Sequence, residues 1–264
     1  MKQQSVAVDL DDVDIRNAAK TLFANIRFAS PDKPVRTVAV TSSIPNEGKT
    51  TVSVELAKAM ATSGKSVCLV EVDMHRRSLA GVLATHPAHG SYAVLAGEVS
   101  LDAAVAPTGY QNLWFLDVEA GIPNPADVLS SQRYRALVRD LAAMFDYVVF
   151  DTPPVGVFVD AAILAGLVDG TVFVCRRSAV KRDDLVKAFQ QLKAAGGTVL
   201  GVVSTFTQHS ANSYYGSKYY SEDVSPAPAA VRFDAVPAAP VQLPPKRTAK
   251  PRTAGAQRRG RHHA

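Results

Sequence analysis

At 264 residues, 47% of them hydrophobic and 20% charged, the chain can bury one sizeable core or two small ones, and one domain with a tail is the simpler division. Its formal net charge of +5 belongs to the end of the chain: residues 225–264 hold 8 Lys+Arg against 1 Asp+Glu, leaving 21 against 23, or −2, for the rest. A folded part so close to neutral excludes a basic nucleic-acid-binding domain, and two cysteines without metal-ligand spacing exclude a disulfide framework or a thiolate metal site.

The N-terminus, MKQQSVAVDLDDVD, lacks the apolar centre of a signal peptide, and no run of 18 or more apolar residues follows it. A cytoplasmic chain is therefore expected, beginning with a helical segment over residues 1–34. A main domain over 35–210 opens with the β-branched run RTVAVTS (36–42). Five more such runs follow: SVCLVEV (66–72), NLWFLDV (112–118), YVVFDT (147–152), GTVFVCR (170–176) and TVLGVVST (198–205). Several are apolar at consecutive positions, as parallel strands covered on both faces should be. Cys68 and Cys175 fall inside two of them and are expected to be buried packing residues.

Between the runs, TTVSVELAKAMATSGK (50–65) sets Val52, Leu56, Ala59 and Met60 at helical spacing and stops at Gly64. SQRYRALVRDLAAMF (131–145) and KRDDLVKAFQQLKAAGG (181–197) are helical in the same way, the second starting with acids and finishing in glycines. Strands alternating with helices predict an α/β fold with a doubly wound, mostly parallel sheet, its ligands at the carboxyl ends of the strands.

The stretch SSIPNEGKTT (42–51) leaves the first strand and opens the first long helix, the context that a phosphate-binding loop requires. Ser43 stands where such a loop usually has its first glycine, so the match rests on context and on Gly-Lys-Thr. Contacts to a nucleotide are expected from Ser43, Asn46, Glu47, Gly48, Lys49, Thr50 and Thr51. Backbone N–H groups from Asn46 to Thr50 would converge on the β-phosphate, Lys49 would neutralise phosphate oxygens, and the Thr50 hydroxyl would ligate Mg²⁺. Two further strand ends carry acids: EVDMHRR (71–77) has Glu71 and Asp73, and FDYVVFDTPP (145–154) has Asp151. Carboxylates across from a phosphate loop are what a magnesium ion and an activated hydroxyl need.

After the last strand, residues 211–223 hold a tyrosine cluster in SYYGSKYYSED: Tyr214, Tyr215, Tyr219 and Tyr220, four of the chain's eight tyrosines. Set among Ser, Gly and Lys, they have no apolar partners in sequence. Residues 224–264 form a basic tail rich in Pro and Ala, with too little to bury to offset its ordering entropy, and are expected to be disordered.

The order SSIPNEGKTT, EVDMHRR, IPNPADVLSS (122–131) and DYVVFDTPP resembles the bacterial tyrosine kinases of capsular and exopolysaccharide systems, from about Asn17 to Tyr220. The resemblance implies a P-loop NTPase fold of the ParA/MinD-like type with deviant Walker motifs, ATP and Mg²⁺ as cofactors, and autophosphorylation of the tyrosine cluster by neighbouring copies. It gives Glu71 the role of accepting the phenol proton, and puts Asp73 and Asp151 with Thr50 on the metal side. It implies a membrane-spanning polysaccharide co-polymerase as a separate adaptor, a homo-oligomer, a cognate tyrosine phosphatase, and a cytoplasmic location at the inner face of the membrane through that adaptor. Four positions depart from the family pattern: Glu71 replaces an aspartate, His75 an arginine, Thr205 an asparagine that contacts adenine, and Asn17, Lys20 and Phe23 the charged residues of an oligomerisation motif. Two other readings stay open: a catalytically weak nucleotide-binding regulator, and a ParA/MinD-type positioning ATPase.

Overall fold

The structure is a computed structural model, and it describes residues 13–29, 34–177, 179–206 and 243–244. Seven strands form one sheet: β1 (Thr37–Ser42), β2 (Val67–Glu71), β3 (Ala106–Pro107), β4 (Leu113–Leu116), β5 (Tyr147–Asp151), β6 (Gly170–Arg176) and β7 (Val199–Thr205). Nine helices accompany them among the described residues: α1 (Val13–Phe28), α2 (Lys49–Thr62), α3 (Leu79–Val82), α4 (Ser91–Ala96), α5 (Leu101–Ala104), α6 (Pro125–Ser130), α7 (Gln132–Met144), α8 (Asp160–Ala165) and α9 (Arg182–Ala194).

The consecutive apolar runs have the cause anticipated from them. Along each central strand, alternate residues join different cores. Val38 and Val40, Val67 and Leu69, Leu113 and Phe115, and Val149 pack on one face with Leu56, Ala57 and Met60 of α2 and Phe23 and Ile26 of α1. Ala39, Cys68 and Val70, Trp114 and Leu116, and Val148 and Phe150 pack on the other with Leu137, Val138 and Leu141 of α7 and Leu164 of α8. A period of two on a sheet covered twice leaves no polar face. Cys68 is fully buried and Cys175 half-buried. Leu243, in the tail expected to have nothing to bury, packs against the second of these cores.

Sheet order is β3-β4-β2-β5-β1-β6-β7, every pairing parallel except the short β3 on β4. This order places β2 and β1 on either side of β5, so the segments following residues 42, 71 and 151 leave the sheet side by side. Register makes the meeting close: Asp151 pairs with Glu71 on one side and Val40 on the other. Alternation then sets Asp151 two residues beyond Val149, on the face that α2 covers.

Phe23, standing at a position of the family's charged oligomerisation motif, is buried and meets Tyr147 edge-on, ring centroids 5.3 Å apart. Asn17 and Lys20 are exposed on the same helix.

Candidate active site

The segment between β1 and α2 bends through two left-handed residues, Asn46 with φ 62° and Gly48 with φ 91°. Asparagine is among the few non-glycine residues that tolerate this region. Ser43 is not among the residues with positive φ, so the opening position makes no demand for glycine and its substitution is accommodated. The crowding lies elsewhere: a Cβ added to Gly156, in the loop after β5, would stand 2.3 Å from the Ser43 carbonyl oxygen. Val155 N–H donates to Ser42 O at 2.8 Å just before it, so the two loops are fastened at their bases. Gly156→Ala should displace the loop entry and weaken Mg-ADP binding about 10- to 100-fold, since ångström misplacements carry penalties of that order; calorimetric titration of the variant measures it.

Alternation of left-handed and ordinary backbone through residues 46–48, followed directly by the N-terminus of the 14-residue α2, makes an anion-binding concavity. Lys49 begins that helix. Burial lowers the pKa of its ammonium group below the usual lysine value, and the charges of Asp151, Asp73 and Glu47 oppose that shift.

Asp151, 1% exposed, receives hydrogen bonds from Thr50 Oγ1 at 2.7 Å and Ser53 Oγ at 2.9 Å. Thr50 also lies 3.2 Å from Ser78 Oγ. Burial pushes the Asp151 carboxyl up to about 6, while the two hydroxyls and Lys49 pull it down. Asp73 is half-buried and its Oδ1 accepts from the N–H groups of His75 and Arg76, at 3.2 and 2.8 Å. Burial raises its pKa, against those N–H groups and Lys49. The all-oxygen set of Thr50, Asp151 and Asp73 fits Mg²⁺, which takes one or two carboxylates and fills its remaining sites with phosphate and water. Among the described residues no three His, Cys, Asp or Glu side chains converge as a complete cage.

Glu71 is turned inward. It is 1% exposed; Oε2 accepts from the N–H groups of Ser78 and Leu79 at 2.8 and 2.9 Å, and Oε1 from Asp73 N–H at 3.2 Å. Burial first, and Asp151 second, push its carboxyl up to about 8 against these three donors. Glu71, expected to accept the phenol proton, thus fastens the loop that carries Asp73, its extra methylene reaching across the loop to the start of α3. Glu47 is likewise fully buried, so its carboxylate does not line the concavity. Thr205 donates its hydroxyl to Glu47 O at 2.7 Å, holding the loop rather than presenting that donor outward. Thr51 lies on α2, half-buried. Tyr214, Tyr215, Tyr219 and Tyr220 lie outside the described residues.

Several participants escaped sequence reasoning. Ser53 sits one helical turn after Thr50, a spacing that identifies it once Asp151 is placed. Arg76 Nη1 reaches Asn46 Oδ1 at 3.3 Å, bringing an exposed cation to the rim. His75 Nε2 lies 2.7 Å from Asp160 Oδ2 and its ring stacks on Phe158 with centroids 3.7 Å apart, while Arg77 pairs with the buried Asp117. Consecutive residues 75, 76 and 77 thereby tie one loop to three others.

A family model described as ParA, NUBPL iron-transfer P-loop NTPase, matches residues 34–223. Tyrosine-protein kinase YwqD of Bacillus subtilis (strain 168) is 33% identical over 202 residues, 75% of this chain and 85% of that protein. Tyrosine-protein kinase CpsD of Streptococcus pneumoniae serotype 4 is 34% identical over 194 residues, 73% of this chain and 85% of its own. The kinase domain of Escherichia coli tyrosine kinase ETK superposes with a TM-score of 0.68 at 25% identity, covering 74% of this chain and 78% of that domain. Iron transfer is not carried over from the family model's description, because the two cysteines lie on different strands and Cys68 is wholly buried. With a phosphate loop, a lysine and two strand-end acids on the ParA-type sheet, and with kinases matching across most of its length, the chain belongs to the bacterial tyrosine-protein kinases.

Proposed function

We propose that the chain transfers the terminal phosphoryl group of Mg-ATP to tyrosines of its own C-terminal cluster, Tyr214, Tyr215, Tyr219 and Tyr220, on a neighbouring copy, and so regulates capsular or exopolysaccharide synthesis and export. The observation that carries this reading is the convergence of Lys49, Thr50, Asp73 and Asp151 at the ends of three adjacent strands. Bound Mg²⁺ would supply charge neutralisation at the phosphates, held by Thr50, Asp151 and Asp73. The loop from Ser43 to Thr51 orients the phosphates by its backbone, and Lys49 concentrates positive charge where oxygen charge must be carried. A phenol, with a pKa near ~10, arrives protonated. Asp73 offers open surface beside Lys49 and meets it first, with Glu71 behind holding the loop in shape.

Each phosphotyrosine adds roughly 1.5–2 negative charges. Four within seven residues would repel one another and any acidic groove, so phosphorylation would release the segment from its neighbour. Control of the switch would fall to a tyrosine phosphatase and a membrane-spanning co-polymerase, to which the chain would attach at the inner face of the membrane. Among the described residues no helix is long and apolar enough to cross a membrane itself. The boundaries at 34, 210 and 223 divide helical lead, kinase domain, tyrosine segment and basic tail.

A second reading is favoured by the inward Glu71: a nucleotide-binding regulator that moves no phosphate. Incubation of the purified chain with Mg-ATP, followed by mass spectrometry of the peptide spanning residues 213–223, separates the two. Phosphotyrosine whose initial rate per molecule rises with protein concentration supports transfer between copies. Tight nucleotide binding with no phosphotyrosine, even with a co-polymerase's cytoplasmic segment present, hands the chain to the regulator reading.

A further inference from the structure

We infer that Glu47 is the positioning residue of the phosphate loop, an internal anion that holds the loop's shape from beneath and so sets its affinity for phosphate. The inference rests on the reading of residues 43–51 as a nucleotide site, and it concerns how that site is built. Glu47 is fully buried. Its Oε2 accepts from Ser43 Oγ at 3.1 Å and Ile44 N–H at 2.9 Å, and its Oε1 accepts from Arg176 N–H at 2.9 Å. Its own carbonyl oxygen accepts from Thr205 Oγ1 at 2.7 Å. One residue therefore joins the loop's entry, the end of β6 and the end of β7, all at the site's edge of the sheet. The left-handed residues Asn46 and Gly48 stand on either side of it, so fixing residue 47 fixes both inflections of the concavity.

The requirement is for an acceptor at every point. The two backbone N–H groups cannot reverse their role, and only the Ser43 hydroxyl can rotate. An amide in place of the carboxylate has one acceptor oxygen. Turned toward Ser43 and Ile44, it sets its NH₂ against Arg176 N–H; turned the other way, it sets NH₂ against Ile44 N–H. Either orientation leaves a backbone N–H donor without this partner. The same contacts give Ser43 a use that glycine could not fill, which accounts for a serine at the loop's opening.

The test compares wild type, Glu47→Gln and Thr205→Val as full chains, titrated with Mg-ADP and separately with Mg-pyrophosphate, alongside steady-state phosphorylation. Glu47→Gln should weaken both ligands about tenfold, the equivalent of one backbone donor that loses its partner and faces an NH₂ group. Its KM for ATP should rise by a similar factor with kcat within about twofold, because a cradle contacting the β-phosphate throughout contributes uniform binding. Thr205→Val, nearly isosteric, removes only the bond to the Glu47 carbonyl and should weaken pyrophosphate and ADP alike, by about threefold. It keeps the inference open to refutation should the Gln variant fail to fold. Unchanged pyrophosphate affinity in Thr205→Val with weakened ADP would assign Thr205 to the base and overturn its part in the clamp. Affinities within twofold of wild type for Glu47→Gln, or a fall in kcat at constant KM, would overturn the whole. If wild type binds Mg-ADP but forms no phosphotyrosine, the kinase reading fails while the affinity comparison still decides the role of Glu47.

Discussion

Lys49→Met is expected to reduce phosphotyrosine formation by roughly 10³-fold or more while leaving the chain folded. Methionine matches lysine in length and apolar stem, so the packing of the first turn of α2 changes little. What disappears is a cation that feels the charges of Asp151, Asp73 and Glu47 together. Removal of a single donor to developing oxygen charge typically loses about 10²–10³ in rate, and here charge neutralisation of the nucleotide goes with it. Arg76, the other cation at the rim, is exposed and extends to Asn46, so it is no substitute at the helix N-terminus. Single-turnover transfer from labelled ATP measures the loss. The chain's one tryptophan, Trp114, is 4% exposed, so its emission checks that the fold survives. Retention of more than about a tenth of the wild-type rate would contradict the assignment. Lys49→Arg should recover little, since a broad planar fork does not reproduce a compact ammonium at the same point.

Much of the scaffold that makes this possible is legible in the chain. The six β-branched runs all become strands within a residue or two of their expected ends; five lie inside the sheet, as runs apolar on both faces should, while TVLGVVST forms the edge strand β7 and leaves Val202 57% exposed. The three long helices follow from period and from Gly64 and Gly196, both left-handed with φ 82° and 79°. Escaping notice are the two-residue β3 and the helices α3, α4, α5, α6 and α8, each of four to six residues. One turn or little more is too short to show a period, and such pieces owe their form to the contacts they make. At the site, Gly-Lys-Thr and the strand-end acids can be read directly, since residue type and context carry their chemistry. The fates of Glu47 and Glu71 cannot. Both look like site carboxylates by position, and both are drawn inside by backbone N–H groups: Arg176, far along the chain, for one, and Ser78 and Leu79, seven and eight residues on, for the other. The sheet order that sets β6 beside β1 brings Arg176 to Glu47, and no local pattern encodes it.

Asp151→Asn separates function from stability, with opposite expected signs. Phosphoryl transfer should fall about 10³-fold, because the buried carboxylate that faces Thr50 and carries charge for the metal becomes neutral. Yet the nucleotide-free chain should become more stable near pH 8. Asparagine keeps the local bonds: its oxygen accepts from one of Thr50 and Ser53, and its NH₂ donates to the other hydroxyl, which rotates to accept. It removes the charge that faces Glu71 across the β2–β5 register. Both carboxyl groups are displaced upward in the fold, Asp151 to about 6 and Glu71 to about 8 from ordinary values of 3.8 and 4.5. The folded chain therefore holds protons that the unfolded chain has released, and stability falls as pH rises from about 4 to about 8. Loss of Asp151 deletes one of these contributions and reduces the other. Each pK unit relieved is worth about 1.4 kcal/mol, or roughly 3–5 °C in melting temperature for a domain of this size. Melting curves at pH 5 and pH 8, without magnesium or nucleotide, should show the variant ahead at pH 8 and the gap narrowing at pH 5. A variant that melts below wild type at pH 8 would mean that Thr50 and Ser53 stabilise the ionised aspartate by more than its burial beside Glu71 costs.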